Sequence, residues 1–164
     1  MKVLGDVKGK VGEVTFFYYN NRRFAFIGLG DKEKVTSEVV RLATGSAIRA
    51  AITKKAKTVT VDCFCSELDS CQAMGEGAVL GSYQFIDYKT NSIDSFIVEE
   101  VSINGCNDQG LNKGVAIGNA ICFARDLGNH PGNISTPTYL ANAAEEISKM
   151  DEMTLKVFDR EEFT

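Results

Sequence analysis

Apolar and polar positions change their period along this chain, and the changes mark its elements. The run Glu13-Val14-Thr15-Phe16-Phe17-Tyr18-Tyr19 is dense in aromatic and β-branched residues and predicts a strand. Asn20-Asn21 is a turn pair. Phe24-Ala25-Phe26-Ile27-Gly28-Leu29-Gly30 then predicts the antiparallel partner, buried on both faces at its end. Beyond this hairpin the period lengthens. Val39, Val40, Ala43, Ala47, Ile48, Ala50 and Ala51 fall at helical spacing and make one apolar face of a helix capped by Thr36 or Ser37 and running to about Lys55. Gly45 and Ser46 lower its local propensity but allow close approach to a neighbour.

The alternation continues downstream. Thr58 to Phe64 predicts a third strand, and Asp69 is placed to cap a second helix through Tyr83, with Ala73, Gly77, Leu80 and Gly81 on one side. Gly75, Gly77 and Gly81 inside this helix read as points of close contact. Phe96-Ile97-Val98, leading toward Val101-Ser102-Ile103, predicts a fourth strand with an awkward Glu99-Glu100 pair. A loop from Asn104 to Gly110 and a third helix from Leu111 to Leu127 follow. Thr136 caps a fourth helix to about Met150, with Pro137 at its favoured first position, and Met153 to Asp159 predicts a last strand. Strands alternating with helices after an initial hairpin imply an α/β fold in three layers, a mixed β-sheet flanked by helices.

Composition narrows the class without naming a chemistry. With 44% hydrophobic and 24% charged residues the chain can bury a core, which excludes a disordered polymer. No run approaches the length of a membrane span, and Met1-Lys2-Val3-Leu4-Gly5-Asp6 has no signal-peptide core, so a cytoplasmic protein is expected. The net charge of −4 hides a division: residues 1–60 hold twelve Lys and Arg against five acids, and residues 61–164 hold six against seventeen. Arg49, Lys54, Lys55 and Lys57 suit the negative end of a helix, and the absence of interleaved aromatics argues against nucleic acid.

Candidate chemistry is sparse. The five cysteines, Cys63, Cys65, Cys71, Cys106 and Cys122, are odd in number, which argues against a disulfide framework. Cys63-x-Cys65 with Cys71 is the tempting metal group, but C-x-C on a strand sends its thiols to opposite faces, and the cysteines read as small, partly buried hydrophobes. His130 is the only histidine, so any triad would route through it, yet it sits among turn-formers in Asn129-His130-Pro131-Gly132-Asn133 and reads as a solvated loop residue. Gly28-Leu29-Gly30 follows a strand, but the dinucleotide fingerprint needs glycine where Glu33 stands.

Two stretches carry a family resemblance. Glu76-Gly77-Ala78-Val79-Leu80-Gly81-Ser82-Tyr83-Gln84-Phe85-Ile86-Asp87-Tyr88-Lys89-Thr90 resembles the "EGALLGSYRFDKYKS" segment of leucyl aminopeptidases, the two-metal cytosol aminopeptidases. Ala124 to Ala141, with Ala124-Arg125-Asp126-Leu127 and Pro131-Gly132-Asn133, is similar to their "ARDLVNEPGNxLTPxxLA" segment. Phe26 to Gly30 and the helix Arg41 to Ala51 fit the same pattern, while Gly128 and His130 depart from it.

The resemblance implies an N-terminal domain of macro-domain-like topology over residues 1–110, a linker helix over 111–127, and the start of a larger catalytic domain over 128–164. It further implies a hexamer that removes N-terminal residues from peptides, using two divalent metals, manganese or zinc. The family's "GKGxTFDSGG" and "NTDAEGR" segments are not in this sequence, and Gly9-Lys10 lacks their flanks. The resemblance therefore assigns no catalytic, cofactor or metal residue to this chain and implies an N-terminal fragment that binds no metal of its own and is inactive alone. The alternative is a free-standing macro-like module binding a nucleotide or ADP-ribose, with Gly28 to Gly30 as its phosphate loop.

Overall fold

The computed structural model describes residues 7–63, 67–89, 96–150 and 153–163. Their order is β1 (Val14–Tyr19), β2 (Arg22–Ile27), α1 (Ser37–Thr53), β3 (Thr58–Asp62), α2 (Leu68–Ser82), β4 (Glu100–Asn104), α3 (Asp108–Asn129) and α4 (Pro137–Met150). The α/β class is as the sequence predicts. Its antiparallel and parallel pairs form two small sheets, β1 with β2 and β3 with β4, flanked by helices. The chain divides into two compact units, Met1–Cys122 and Phe123–Thr164, with the boundary inside α3.

In the first unit the hairpin turns at Asn20 and Asn21, whose φ of 46° and 59° is the left-handed pair that a two-residue turn requires. Phe17 lies opposite Phe24 and stacks on both Phe24 and Phe26, at 5.0 and 4.7 Å between centroids. β2 is nevertheless exposed along nearly its whole length, and its end, predicted buried on both faces, is half-buried from Ile27 to Leu29. The rings bury one another across the strand pair.

Thr36 caps α1 as predicted, its Oγ1 accepting the Val39 N–H at 3.4 Å. At the other end Lys55 adopts φ 52°, and the Ala56 N–H returns to the Ala51 carbonyl. The Arg23 guanidinium donates to the Lys54 carbonyl at 2.7 Å. A cation does cap this end, but it comes from the hairpin.

β3 and β4 are parallel, with Val59 opposite Val101 and Val61 opposite Ile103, and α2 forms the connection between them. Val61 and Ile103 pack with Val35, Cys63 and Cys106 against a core of Val40, Ala73 and Met74. Regular pairing begins at Glu100, so of the strand predicted from Phe96 through Ile103 only the second half is regular. Glu99 is accommodated there by an ion pair to Lys57 at 2.9 Å. Asp69 is not the cap of α2. Glu67 occupies that position, and Asp69 stands in the first turn, where its charge suits the helix dipole.

Alpha-helical glycines set the distance between α1, α2 and α3. A Cβ on Gly81 would lie 2.7 Å from the Cα and carbonyl oxygen of Gly45 in α1, and one on Gly77 would lie 2.5 Å from the Arg41 carbonyl oxygen. On the α3 side a Cβ on Gly75 would lie 2.6 Å from the Leu111 carbonyl oxygen, and one on Gly114 would strike the Gln72 backbone. Helix α2 is thus held between two helices at backbone contact, which only hydrogen side chains permit.

In the second unit Thr136 caps α4 through the Tyr139 N–H at 3.3 Å, with Pro137 in the first helical position. The Ser135 hydroxyl donates to the Leu127 carbonyl at 2.9 Å. The predicted strand from Met153 to Asp159 is irregular. Met153, Leu155, Val157 and Phe158 are all exposed, and no described strand pairs with them.

These contacts order the effects of single methyl groups. Gly81→Ala should destabilise the chain by about 1–3 kcal/mol, because the new atom meets fixed backbone. Gly128→Ala, where nothing lies within 4 Å, should stabilise it by about 0.5–1 kcal/mol through helix propensity. Urea denaturation of the two variants checks this, and equal midpoints would contradict it.

Candidate functional site

The turn after β2 is the first place to look for a ligand, and the amides of both its glycines are already used. The Gly28 N–H donates to the Glu13 carbonyl at 2.8 Å, and the Gly30 N–H to the Gly9 carbonyl at 2.8 Å. The next element is a short 3-10 turn, Lys32–Lys34, and not an α-helix N-terminus aimed at an anion. The anion held in this region is the protein's own. The Glu13 carboxylate accepts the N–H groups of Lys10 and Lys8, and the Lys10 hydrogen bond chiefly holds its pKa below the ordinary carboxylate value. Gly28 to Gly30 is therefore a strap across residues 9–13, and the phosphate-loop reading has no support.

Several cations of the first sixty residues are likewise engaged within the chain. Lys57 pairs with Glu99, Lys54 lies over the Phe16 ring at 5.5 Å, and Arg23 lies over Tyr18 at 5.8 Å. A groove of about 540 Å³ opens beside them, lined by Phe16, Phe24, Ile27 and Ala51 together with β3. Lys55, Lys57, Thr58, Thr60 and Asp62 also line it, but the metal-capable grouping among the described residues lies elsewhere.

One buried charge stands out. Glu76 in α2 is only 4% exposed, and its carboxylate accepts the Arg41 Nε–H from α1 at 2.5 Å and the Gln72 amide at 2.8 Å. Arg41 also pairs with Glu38. Burial disfavours the charged guanidinium, but the carboxylates of Glu76 and Glu38 outweigh it and raise the Arg41 pKa. This is an ion pair between helices, adjacent to the glycine contacts, and it leaves no lone carboxylate for acid–base work.

His130 lies in the second unit, half-buried, with its ring edge-on to Tyr139 at 5.4 Å between centroids. The fully solvated loop histidine expected from the sequence is corrected to one packed on an aromatic ring. The described cysteines are partly or fully buried, as the sequence predicts, and three of them come together. Cys63 follows β3, Cys71 is in the first turn of α2, Cys106 follows β4, and their three Sγ atoms lie within 4.8 Å of one another. Burial, with hydrogen bonds to Cys71 and Cys63, pushes the Cys106 thiol pKa far up. Cys65 lies outside the described residues. The grouping of Cys63-x-Cys65 with Cys71 did not include Cys106, because sequence spacing does not show that residues following neighbouring parallel strands emerge at the same sheet edge.

Comparison with known proteins supplies the family. A model described as the cytosol aminopeptidase family, N-terminal domain, matches residues 1–92, more than half of the chain. The chain belongs to the cytosol aminopeptidase family. It is 32% identical to a probable cytosol aminopeptidase of Aquifex aeolicus over 166 residues, covering 97% of this chain and 34% of that protein. Against the probable cytosol aminopeptidase of Geobacter sp. the identity is 33%, covering 96% of this chain and 35% of the relative.

Among solved structures it is similar to the bottromycin maturation enzyme BotP in complex with Mn, at 25% identity and a TM-score of 0.76, covering 88% of this chain and 32% of that one. A tomato leucine aminopeptidase variant shares the fold, with a TM-score of 0.72 at 23% identity, covering 88% of this chain and 31% of that one. The chain spans about a third of the length of the curated relatives it matches.

In this member of the family, the segment that begins at Glu76 has a structural reason. Glu76 ties α2 to α1, and Gly77 and Gly81 set the spacing between them. Arg41→Ala should cost about 3–5 kcal/mol, because it leaves a buried carboxylate without its cation. The double variant Arg41→Leu with Glu76→Leu should recover most of that loss. Chemical denaturation of both checks the pair, and a double variant no more stable than Arg41→Ala would contradict the assignment.

Proposed function

We propose that this chain is the non-catalytic, assembly portion of a metal-dependent leucyl aminopeptidase, an enzyme that removes N-terminal amino acids from peptides. The observation that carries this reading is the match of the family's N-terminal domain to residues 1–92. Residues 1–110 form that domain, 111–127 a linker helix, and 128–164 the entry to the catalytic domain. The whole protein is a cytoplasmic homo-hexamer using two divalent ions, manganese or zinc. The manganese complex of BotP and the names of the curated cytosol aminopeptidases support the metal and the compartment. No described helix is long and apolar enough to cross a membrane.

Among the described residues the donors do not fit a carboxylate-held pair of manganese ions. Among the described residues the one grouping of three metal-capable side chains is the thiol trio Cys63, Cys71 and Cys106, which is soft where manganese prefers carboxylate oxygens. No catalytic step is assigned to it, and the peptidase chemistry belongs to other segments of the whole protein. A metal pair held there would supply Lewis-acid and water-activating chemistry.

The 164-residue chain, assayed with leucine amide and added manganese or zinc, should show no turnover above the uncatalysed rate. The parental protein carrying a "GKGxTFDSGG" segment should release N-terminal residues, lose activity to a chelator and regain it with metal. Turnover by the short chain, or a metal-independent parent, would overturn the reading.

A further inference from the structure

Three thiols from three separate elements meet at the carboxyl edge of the β3–β4 pair. Gly105, at φ 76°, reverses the chain after β4, and a Cβ there would sit 3.9 Å from the Cβ of Cys63. The turn thus delivers Cys106 to the residue that leaves β3. The Cys71 Sγ accepts the Asn107 backbone N–H at 3.0 Å, and the Asn107 side chain in turn accepts the Gly110 N–H at 3.1 Å, fixing the start of α3. A fourth sulfur is adjacent: the Cys106 Sγ lies 3.8 Å from the Met74 Sδ.

The spacing is that of a coordination shell. Metal–sulfur bonds of about 2.3 Å place sulfurs roughly 3.8 Å apart in a tetrahedron and about 4.0 Å apart in a trigonal plane. The cysteine sulfurs, within 4.8 Å of one another, need to close by less than about 1 Å to reach either. Every donor is soft, and the grouping holds no imidazole or carboxylate. Thiolate and thioether ligands suit Cu(I) and zinc over manganese or magnesium, and the thioether, the softest donor here, favours Cu(I). Cys71 is fully buried and Cys63 and Cys106 are half-buried, so an ion can enter from the exposed side.

We propose that Cys63, Cys71 and Cys106, with Met74 as an added thioether donor, form a site for a soft monovalent cation of the Cu(I) type. Each cysteine that binds as thiolate releases one proton to solvent, and copper enters and stays as Cu(I), so no oxidant or reductant is consumed. The site is independent of the peptidase reading, because its ligands and its ion are not those of the two-metal centre.

The test is anaerobic competition of the full 164-residue chain for Cu(I) against a chromogenic chelator, with ascorbate present and Zn(II) as a second probe. One Cu(I) should bind per chain with a sulfur-to-copper charge-transfer band in the ultraviolet, and equimolar Zn(II) should not displace it. Cys106→Ser and Cys63→Ser should each weaken binding more than roughly a hundredfold, beyond the loss expected from an outer-shell partner, and Met74→Leu about tenfold. Cys122→Ser should bind as the parent does. Because Cys71→Ser removes a fully buried core residue, the assignment rests on the two half-buried positions, with far-ultraviolet circular dichroism confirming their fold. Unchanged binding in Cys106→Ser, loss of binding in Cys122→Ser, displacement by Zn(II), or no Cu(I) binding at all would each overturn the site.

Discussion

The approach of α2 to its two neighbours at backbone distance is the constraint on which the first unit depends. Gly77 and Gly81 meet α1, and Gly75 meets α3, at separations no Cβ tolerates. Close approach of this kind maximises dispersion contacts between main chains. It also makes the spacing intolerant of change. The rest is placed relative to that helix: the core of Val40, Ala73 and Met74 lies on its flank, and the β3–β4 pair packs against it through Val61 and Ile103.

Charge and sulfur chemistry follow from the same geometry. A helix buried on two sides has little room for a polar residue, so Glu76 is retained only with Arg41 and Gln72 closing on it. The first turn of α2 brings Cys71 to the edge where β3 and β4 end, and there Cys63 and Cys106 converge on it. One helix therefore both holds the unit together and assembles its only thiol cluster among the described residues. The family's N-terminal domain serves here as scaffold, and the soft-metal site is grafted onto that scaffold's sheet edge.

Much of this was legible in the residues. Asn20-Asn21 announced the hairpin, Thr36 and Pro137 announced helix starts, and the glycines of α2 announced close contact. All of these are local signals with a single physical meaning. The failures were non-local. Exposure of Phe24 and Phe26 depends on which surfaces cover the hairpin, and Met153 to Asp159 has strand composition without a described partner strand. The thiol cluster depends on residues 63, 71 and 106 meeting through a β–α–β crossover, which spacing along the chain does not encode. The phosphate loop failed because the amides of Gly28 and Gly30 are used by residues 9–13, a pairing invisible to a glycine motif.

Native-state hydrogen exchange tests the primacy of the α1–α2–α3 contact most directly, since it ranks elements by the free energy needed to open them. The amides of α1 around Val40 to Ala51 and of α2 around Cys71 to Ala78 should exchange slowest, while those of β1 and β2 open well before them. A hairpin that exchanges as slowly as α1 and α2 would contradict the account.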